Sequence, residues 1–214
     1  MTDTLGSLTR KPDRAAERRV LDEVFDHCLV ATLSTVVDDE PWVIPTLVAR
    51  RGDELLLHGS TGAGALRHAA AGAKVAVSAF ILDGLVVAER QFDHSANYRS
   101  AVVRGRCRRI GGDEAAAVLD AFTDALIPGR AAECPPHTAK ELAQTLVLSL
   151  PIRRGAWIAK QRSGPPGAAA LGHWTGVVPV RQVTDGAVST SAGPVPPSIR
   201  AVVGGGAVSG DREQ

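Results

Sequence analysis

Residues 29–58 read LVATLSTVVDDEPWVIPTLVARRGDELLLH, and the fold class follows from how this stretch divides. Leu29 to Val36 is apolar and β-branched, Val37-Asp38-Asp39-Glu40-Pro41 has the composition of a turn, and Trp42 to Ala49 is a second run of the first kind. Strand, turn and strand make a hairpin. Arg51-Gly52-Asp53 supplies another turn and Glu54 to His58 a third strand. The chain therefore builds an antiparallel meander, without the crossover helix that a parallel sheet requires. Upstream, Arg14 to Cys28 places Val20, Leu21, Val24 and Phe25 at helical spacing, with Asp13 as the expected cap.

Downstream the pattern continues. Gly59-Ser60-Thr61-Gly62-Ala63-Gly64 is a small-residue loop that feeds a helix over Ala65 to Ala71, stopped by Gly72. Lys74 to Leu82 reads as a strand, Asp83-Gly84 as a tight turn and Leu85 to Ala88 as its return strand. Phe92 to Arg99 is polar and irregular, and Ser100 to Ile110 resumes a strand in which Gly105 marks a bulge or a bend. Ala115 to Ile127 carries Val118, Leu119, Phe122 and Leu126 on one helical face and ends at Pro128-Gly129. A short helix over Thr138 to Gln144 precedes the last strands, Thr145 to Leu150 and Ala156 to Ala159. The domain division expected is an extension over 1–13, one domain over 14–180 and a loosely held tail over 181–214.

The bulk numbers exclude several classes. Two hundred and fourteen residues, 44% hydrophobic and 22% charged, suit one globular domain. Lys and Arg number 24 against 23 Asp and Glu, so a net charge of +1 recommends no nucleic acid partner. Arg104, Arg106, Arg108 and Arg109 are read as solvated surface. No apolar run is long enough to span a membrane and the N-terminus lacks a signal-peptide core, so a cytoplasmic protein is expected. Cys28, Cys107 and Cys134 are odd in number and far apart, which argues against a disulfide framework or a zinc site.

The Gly59–Gly64 loop is a candidate phosphate cradle, because small residues let backbone N–H groups and a helix N-terminus approach an anion. Ser60 and Thr61 offer hydroxyls, and Arg67 or Lys74 offers charge. The loop lacks the P-loop lysine and the dinucleotide fingerprint. His58, at a strand end, is either ligand-facing or a surface histidine. His94, in Asp93-His94-Ser95, has the same two readings, and no GxSxG elbow supports a hydrolase triad. Trp174 is either a core ring or a stacking platform.

The order of Val43-Ile44-Pro45, Leu57-His58-Gly59-Ser60-Thr61-Gly62, Asp83-Gly84-Leu85 and Phe92 to Gly105 resembles the pyridoxamine 5′-phosphate oxidase-like flavin-binding proteins, in the branch that includes nitroimidazole-resistance proteins. Pro128-Gly129-Arg130, Glu141-Leu142, Lys160 to Gly164 and Trp174-Thr175-Gly176 extend the resemblance over roughly residues 14–180, and Asn97-Tyr98-Arg99-Ser100 is its most specific part. It implies an antiparallel split β-barrel, mainly β with flanking helices, that forms a homodimer with FMN in each of two clefts between subunits. Pro45, Thr46 and Leu47 would then lie along the isoalloxazine. His58, Ser60, Thr61 and Gly62 would hold the phosphate end. Tyr98, Arg99 and Ser100 would close the cleft, and Lys160, Arg162 and Trp174 would approach from the C-terminal segment. His58 or Arg162 would polarise a small-molecule substrate, in a flavin-dependent oxidoreductase. The alternatives are a flavin carrier or sensor without turnover, and a haem protein using His58 or His94; some relatives hold a deazaflavin instead. Ala63-Gly64 departs from the Ser-Arg that many relatives carry at that place.

Overall fold

The structure, a computed structural model, describes residues 11–204. Positions 1–10 of the expected extension and 205–214 of the expected tail lie outside the described residues. The first helix is α1 (Arg18–His27), which buries Val20, Leu21, Val24 and Phe25 as the spacing predicts. It starts later than expected, behind Glu17, and Asp13 sits instead in a 3-10 turn over Pro12–Arg14. Strands β1 (Val30–Val37) and β2 (Glu40–Leu47) form the hairpin, its two-residue turn made by Asp38 and Asp39 at φ 51° and 62°. Then come β3 (Ala49–Arg51), β4 (Glu54–Ser60), α2 (Gly64–Ala70) and β5 (Lys74–Val87).

The expected turn at Asp83-Gly84 does not form. Lys74–Val87 is one strand of 14 residues, with a register shift between Leu82 and Gly84 where it pairs with β6 (Ser95–Arg106). Gly84 is not used for a positive φ; it is used for close approach. A Cβ there would stand 3.0 Å from Val177 Cγ1 and 3.0 Å from the Val178 carbonyl oxygen. Those residues belong to β10 (Gly176–Pro179), a strand that the sequence reading missed and that pairs antiparallel with the second half of β5. β6 also begins earlier than expected, at Ser95, so most of the stretch read as irregular is strand.

The remaining elements are β7 (Arg108–Ile110), α3 (Asp113–Leu126), α4 (Ala139–Gln144), β8 (Thr145–Pro151), β9 (Trp157–Arg162) and α5 (Pro197–Gly204). The fold is mainly β, in two antiparallel sheets with a few helices. One runs β2-β1-β5-β6-β9 with β10 alongside β5; the other runs β3-β4-β8-β7. α4 opens with a capping box, Thr138 accepting from the Glu141 N–H while the Glu141 carboxylate accepts from the Thr138 N–H.

Alternation along the strands divides the interior in two. Leu33, Val77, Val103, Leu55, Leu57, Leu148 and Leu150 meet between the sheets and under α1. Residues of opposite parity on the smaller sheet, Leu56 and Val147, meet Val118, Leu119 and Phe122 of α3. Cys28, Cys107 and Cys134 are free thiols, and burial pushes the Cys107 thiol up to about 11. Within the segment expected as a tail, Ser198 at the start of α5 is buried, its hydroxyl and N–H donating to Glu133 at 2.5 and 3.0 Å. Among the described residues no helix is long and apolar enough to cross a membrane.

Gly84→Val should lower stability by about 1–3 kcal/mol, the range for overpacking a closed contact, in a urea titration. It should also speed hydrogen exchange at the Val180 N–H, which donates to the Asp83 carbonyl at 3.1 Å.

Candidate functional site

β2 pairs with β1 alone, so it is an edge strand, with the N–H and C=O groups of its outer side turned away from the sheet. Pro45 and Leu47 are exposed on it and Thr46 is half-buried. At the hairpin tip the end of β1 meets α2, where His68 Nε2 lies 3.0 Å from the Val36 carbonyl oxygen and donates to it.

The loop between β4 and α2 differs from the expected cradle in which donors it offers. Thr61 N–H donates to the Gln144 carbonyl at 3.0 Å, Ala63 N–H to the Ser60 carbonyl at 2.9 Å and Gly62 N–H to Ser60 Oγ at 3.1 Å. These three N–H groups are satisfied within the protein. The unspent donors are those of the first turn of α2, which begins at Gly64 behind Ala63 with no side-chain cap. They border a cavity of about 480 Å³ lined by Val37, Trp42, Gly64, Ala65, Arg67 and His68. Arg67 also borders a neighbouring hollow with Thr61. The Ala63-Gly64 departure therefore removes a hydroxyl and a cation but leaves a helix N-terminus open. Sequence reasoning included Gly64 and the helix start in its candidate cradle but did not name Trp42 or Ala65 as part of it. Gly59 makes this corner possible, since a Cβ there would come within 2.5 Å of Leu66 Cδ1.

His58 is not among these groups. Its position on β4 has the parity of Leu56, so the ring turns toward α3 and meets Phe122 edge-on, with centroids 4.3 Å apart. His58 Nδ1 is buried without a hydrogen-bond partner, and burial, with a smaller repulsion from His137, holds its pKa below the ordinary histidine value. His94 is exposed, with Nδ1 2.9 Å from the Arg90 carbonyl oxygen, to which it donates. Nε2 is left as the acceptor.

The C-terminal candidates lie across the sheet. β9 is at the opposite edge from β2, four strand spacings away, or about 19 Å at about 4.8 Å each. Tyr98 pairs with Arg162 and Ser100 with Lys160 across β6 and β9. Arg162 Nη1 donates to Asn97 Oδ1 at 2.5 Å. Arg99 is held by Asp83, at 2.7 and 3.1 Å, and by Glu23 at 3.4 Å. Trp174 is exposed and its ring packs over Gly176, where a Cβ would meet it at 2.8 Å. The loop before it is folded onto Glu89, whose carboxylate accepts from the N–H groups of Ala170, Leu171 and His173 at 2.5–3.0 Å and is held below its usual pKa by them. Lys74 stands apart from the Ser60–Gly62 loop, in a cleft with Arg104 and Arg106. One chain thus brings together Ser60, Thr61, Gly62 and Arg67 beside β2, and places Tyr98, Ser100, Lys160, Arg162 and Trp174 elsewhere.

The family model described as pyridoxamine 5′-phosphate oxidase matches residues 17–157. The chain belongs to that family. It is 42% identical to the FAD and haem binding protein from Mycobacterium smegmatis, with TM-score 0.83 over 89% of this chain and 97% of that one. It is 29% identical to a flavocytochrome from Azotobacter vinelandii, with TM-score 0.81 over 91% and 94%. A 5-nitroimidazole antibiotic resistance protein from Bacteroides thetaiotaomicron, at 15% identity and TM-score 0.58 over 69% and 85%, shares the fold. No curated protein matches the chain.

His58 provides a pH test. Its lowered pKa means that the unfolded chain binds the proton first, so its contribution to stability is present above the unfolded value of about 6.5 and lost as pH falls below it. Denaturant titrations at pH 8 and pH 5.5 should show the wild type losing stability on acidification, and His58→Phe losing measurably less. Equal losses in the two proteins would contradict the assignment.

Proposed function

We propose that this member of the pyridoxamine 5′-phosphate oxidase family is a flavin-binding redox protein that works as a homodimer on a small, aromatic or heterocyclic compound. The observation that carries the reading is the adjacency of a free strand edge and an anion-seeking corner. β2 presents unpaired backbone groups, and the cavity at its hairpin end joins the uncapped N-terminus of α2 to Arg67 and the Trp42 ring. A flavin needs both: hydrogen bonds in the plane of its ring and positive potential at its phosphate. The residues therefore fit the group. When bound, the flavin supplies hydride or one-electron chemistry. The chain's own part is to bind the phosphate through the Gly64 and Ala65 N–H groups and Arg67, and to orient the ring along Pro45, Thr46 and Leu47.

Two copies are needed to finish such a site. Tyr98, Ser100, Lys160, Arg162 and Trp174 lie too far from β2 within one chain, so on this reading they reach the ring from the second copy and exclude water from it. The face that joins the copies is the exposed side of the larger sheet, where Phe80 is 69% exposed and Val43 58%, with Val30 and Leu47 beside them. The flavin named for the 42% identical relative is FAD, which makes FAD the first ligand to try and FMN the second.

A second reading, haem as an additional group, is favoured by the names of both relatives. His94 suits an axial ligand, because its Nδ1 is fixed on the Arg90 carbonyl and leaves Nε2 free. His58 does not, with its ring pressed on Phe122.

Purified protein given FAD or FMN should show flavin absorption that bleaches with dithionite, and Arg67→Ala should weaken flavin binding about tenfold, the loss of one charge-assisted contact of about 1.4 kcal/mol. Phe80→Asp should sediment as a monomer and lose the flavin with it. On addition of haem, a Soret shift that survives His58→Phe and disappears in His94→Ala is the expected result. A colourless protein that takes up neither flavin would overturn the flavin reading.

A further inference from the structure

At the hairpin end of the larger sheet, on its outer face, lies a cleft of about 950 Å³. Strand pairing determines which side chains reach it. Arg104 and Arg106 are two residues apart on β6 and point the same way, Lys74 is paired with Arg106, and Ala76 with Arg104. Arg153 comes from the connection between β8 and β9. Four cations therefore border one cleft, whose lining contains no carboxylate. Among the described residues no ion pair joins any of the four to Asp or Glu. Elsewhere Arg18, Arg50, Arg99 and Arg108 each meet a carboxylate at 3.1 Å or less.

Arg104 is the telling member. Its Nε is buried and has no hydrogen-bond partner. A buried, unspent donor on a cation is unfavourable unless a ligand accepts from it, and four like charges around one hollow add repulsion that an anion would relieve. Guanidinium groups are matched to phosphate by their paired N–H donors. Between the cations the surface is apolar and shallow, made by Val36, Pro41, Ala76 and Pro151, which suits a flat ring system. The lining holds no histidine, cysteine, methionine or tyrosine, so it offers no axial ligand to a haem iron.

We propose that this cleft is a binding site for a nucleoside diphosphate, with the phosphates on Arg104, Arg106, Lys74 and Arg153 and the base on the apolar floor. The ligand is a free nucleotide or the adenosine diphosphate half of a flavin dinucleotide. The four cations belong to one chain, but the cleft shares the sheet face on which the proposed reading joins two copies, Ser34 of its lining being paired with Val43, so its opening in the dimer and the second source both rest on that reading.

The probe is ADP, titrated calorimetrically into the purified full chain at low ionic strength, with adenosine as the control. ADP should bind at least about tenfold more tightly than adenosine and weaken as salt is added. Arg104→Gln and Arg153→Gln should each weaken ADP about tenfold or more. Arg153 is exposed, so its variant should melt at the wild-type temperature and keeps the test valid if Arg104→Gln fails to fold. ADP excluded by FAD but not by FMN identifies the dinucleotide half as the source, and ADP binding unchanged by saturating FAD identifies a free nucleotide; either supports the site. Equal affinities for ADP and adenosine, unchanged affinity in both variants, or no binding of ADP would each overturn it. A protein that binds ADP but no flavin would sink the flavin reading and leave this site standing.

Discussion

The length of β5 governs the molecule. A strand of 14 residues has more edge than one partner can cover, and this one divides it. β6 runs along one side for twelve residue pairs, while on the other side β1 takes the first half and β10 the second. Everything that bears on function follows from this division. β1 is inserted between β5 and β2, so β2 becomes the edge. β10 brings the C-terminal segment back to the far end of the sheet and sets Trp174 there. Gly84 eases that return, because a Cβ there would press on Val177 and the Val178 carbonyl at 3.0 Å.

The same geometry separates the two kinds of candidate residue. Pro45, Thr46, Leu47, the loop after β4 and Arg67 gather on the β2 side, and the C-terminal candidates on the β9 side. Four strand spacings separate β2 from β9 along the sheet, and on the proposed reading a ligand touching both sets lies between two copies. The exposed apolar face of the sheet is consistent with such a pairing on physical grounds, since Phe80, Val30, Val43 and Leu47 gain nothing from water. Polar satisfaction sharpens the picture further. The Ser60 loop spends its N–H groups within the protein, on Ser60 and Gln144, the first turn of α2 keeps its own unspent, and Arg99 is occupied by Asp83 and Glu23.

Much of the fold was legible in the sequence because it is carried by local pattern. Apolar β-branched runs between turn residues over 29–58 gave the meander, helical spacing gave α1 and α3, and the short helix expected over Thr138 to Gln144 is α4. The failures were at places where a local signal has two physical uses. Asp-Gly is a strong turn signal when its glycine takes a positive φ, but at Gly84 the glycine serves contact with another strand. The polar stretch from Phe92 to Arg99 looked irregular because its residues lack β propensity, yet Ser95 onward is recruited by the ladder with β5.

The sequence by itself determined the mainly β class, the first helix and the meander after it, the helix after β7, the family, and the presence of a small-residue loop leading into a helix. Those are properties of neighbours within a few residues, where steric preference and period act directly. Tertiary structure alone decided that His58 lies against Phe122, that the donors of α2 rather than those of the Ser60 loop are open, and that Arg104, Arg106, Lys74 and Arg153 share one cleft. These depend on pairing register between distant segments. A shift of one residue in a ladder turns every side chain to the other face, and no local preference specifies that choice.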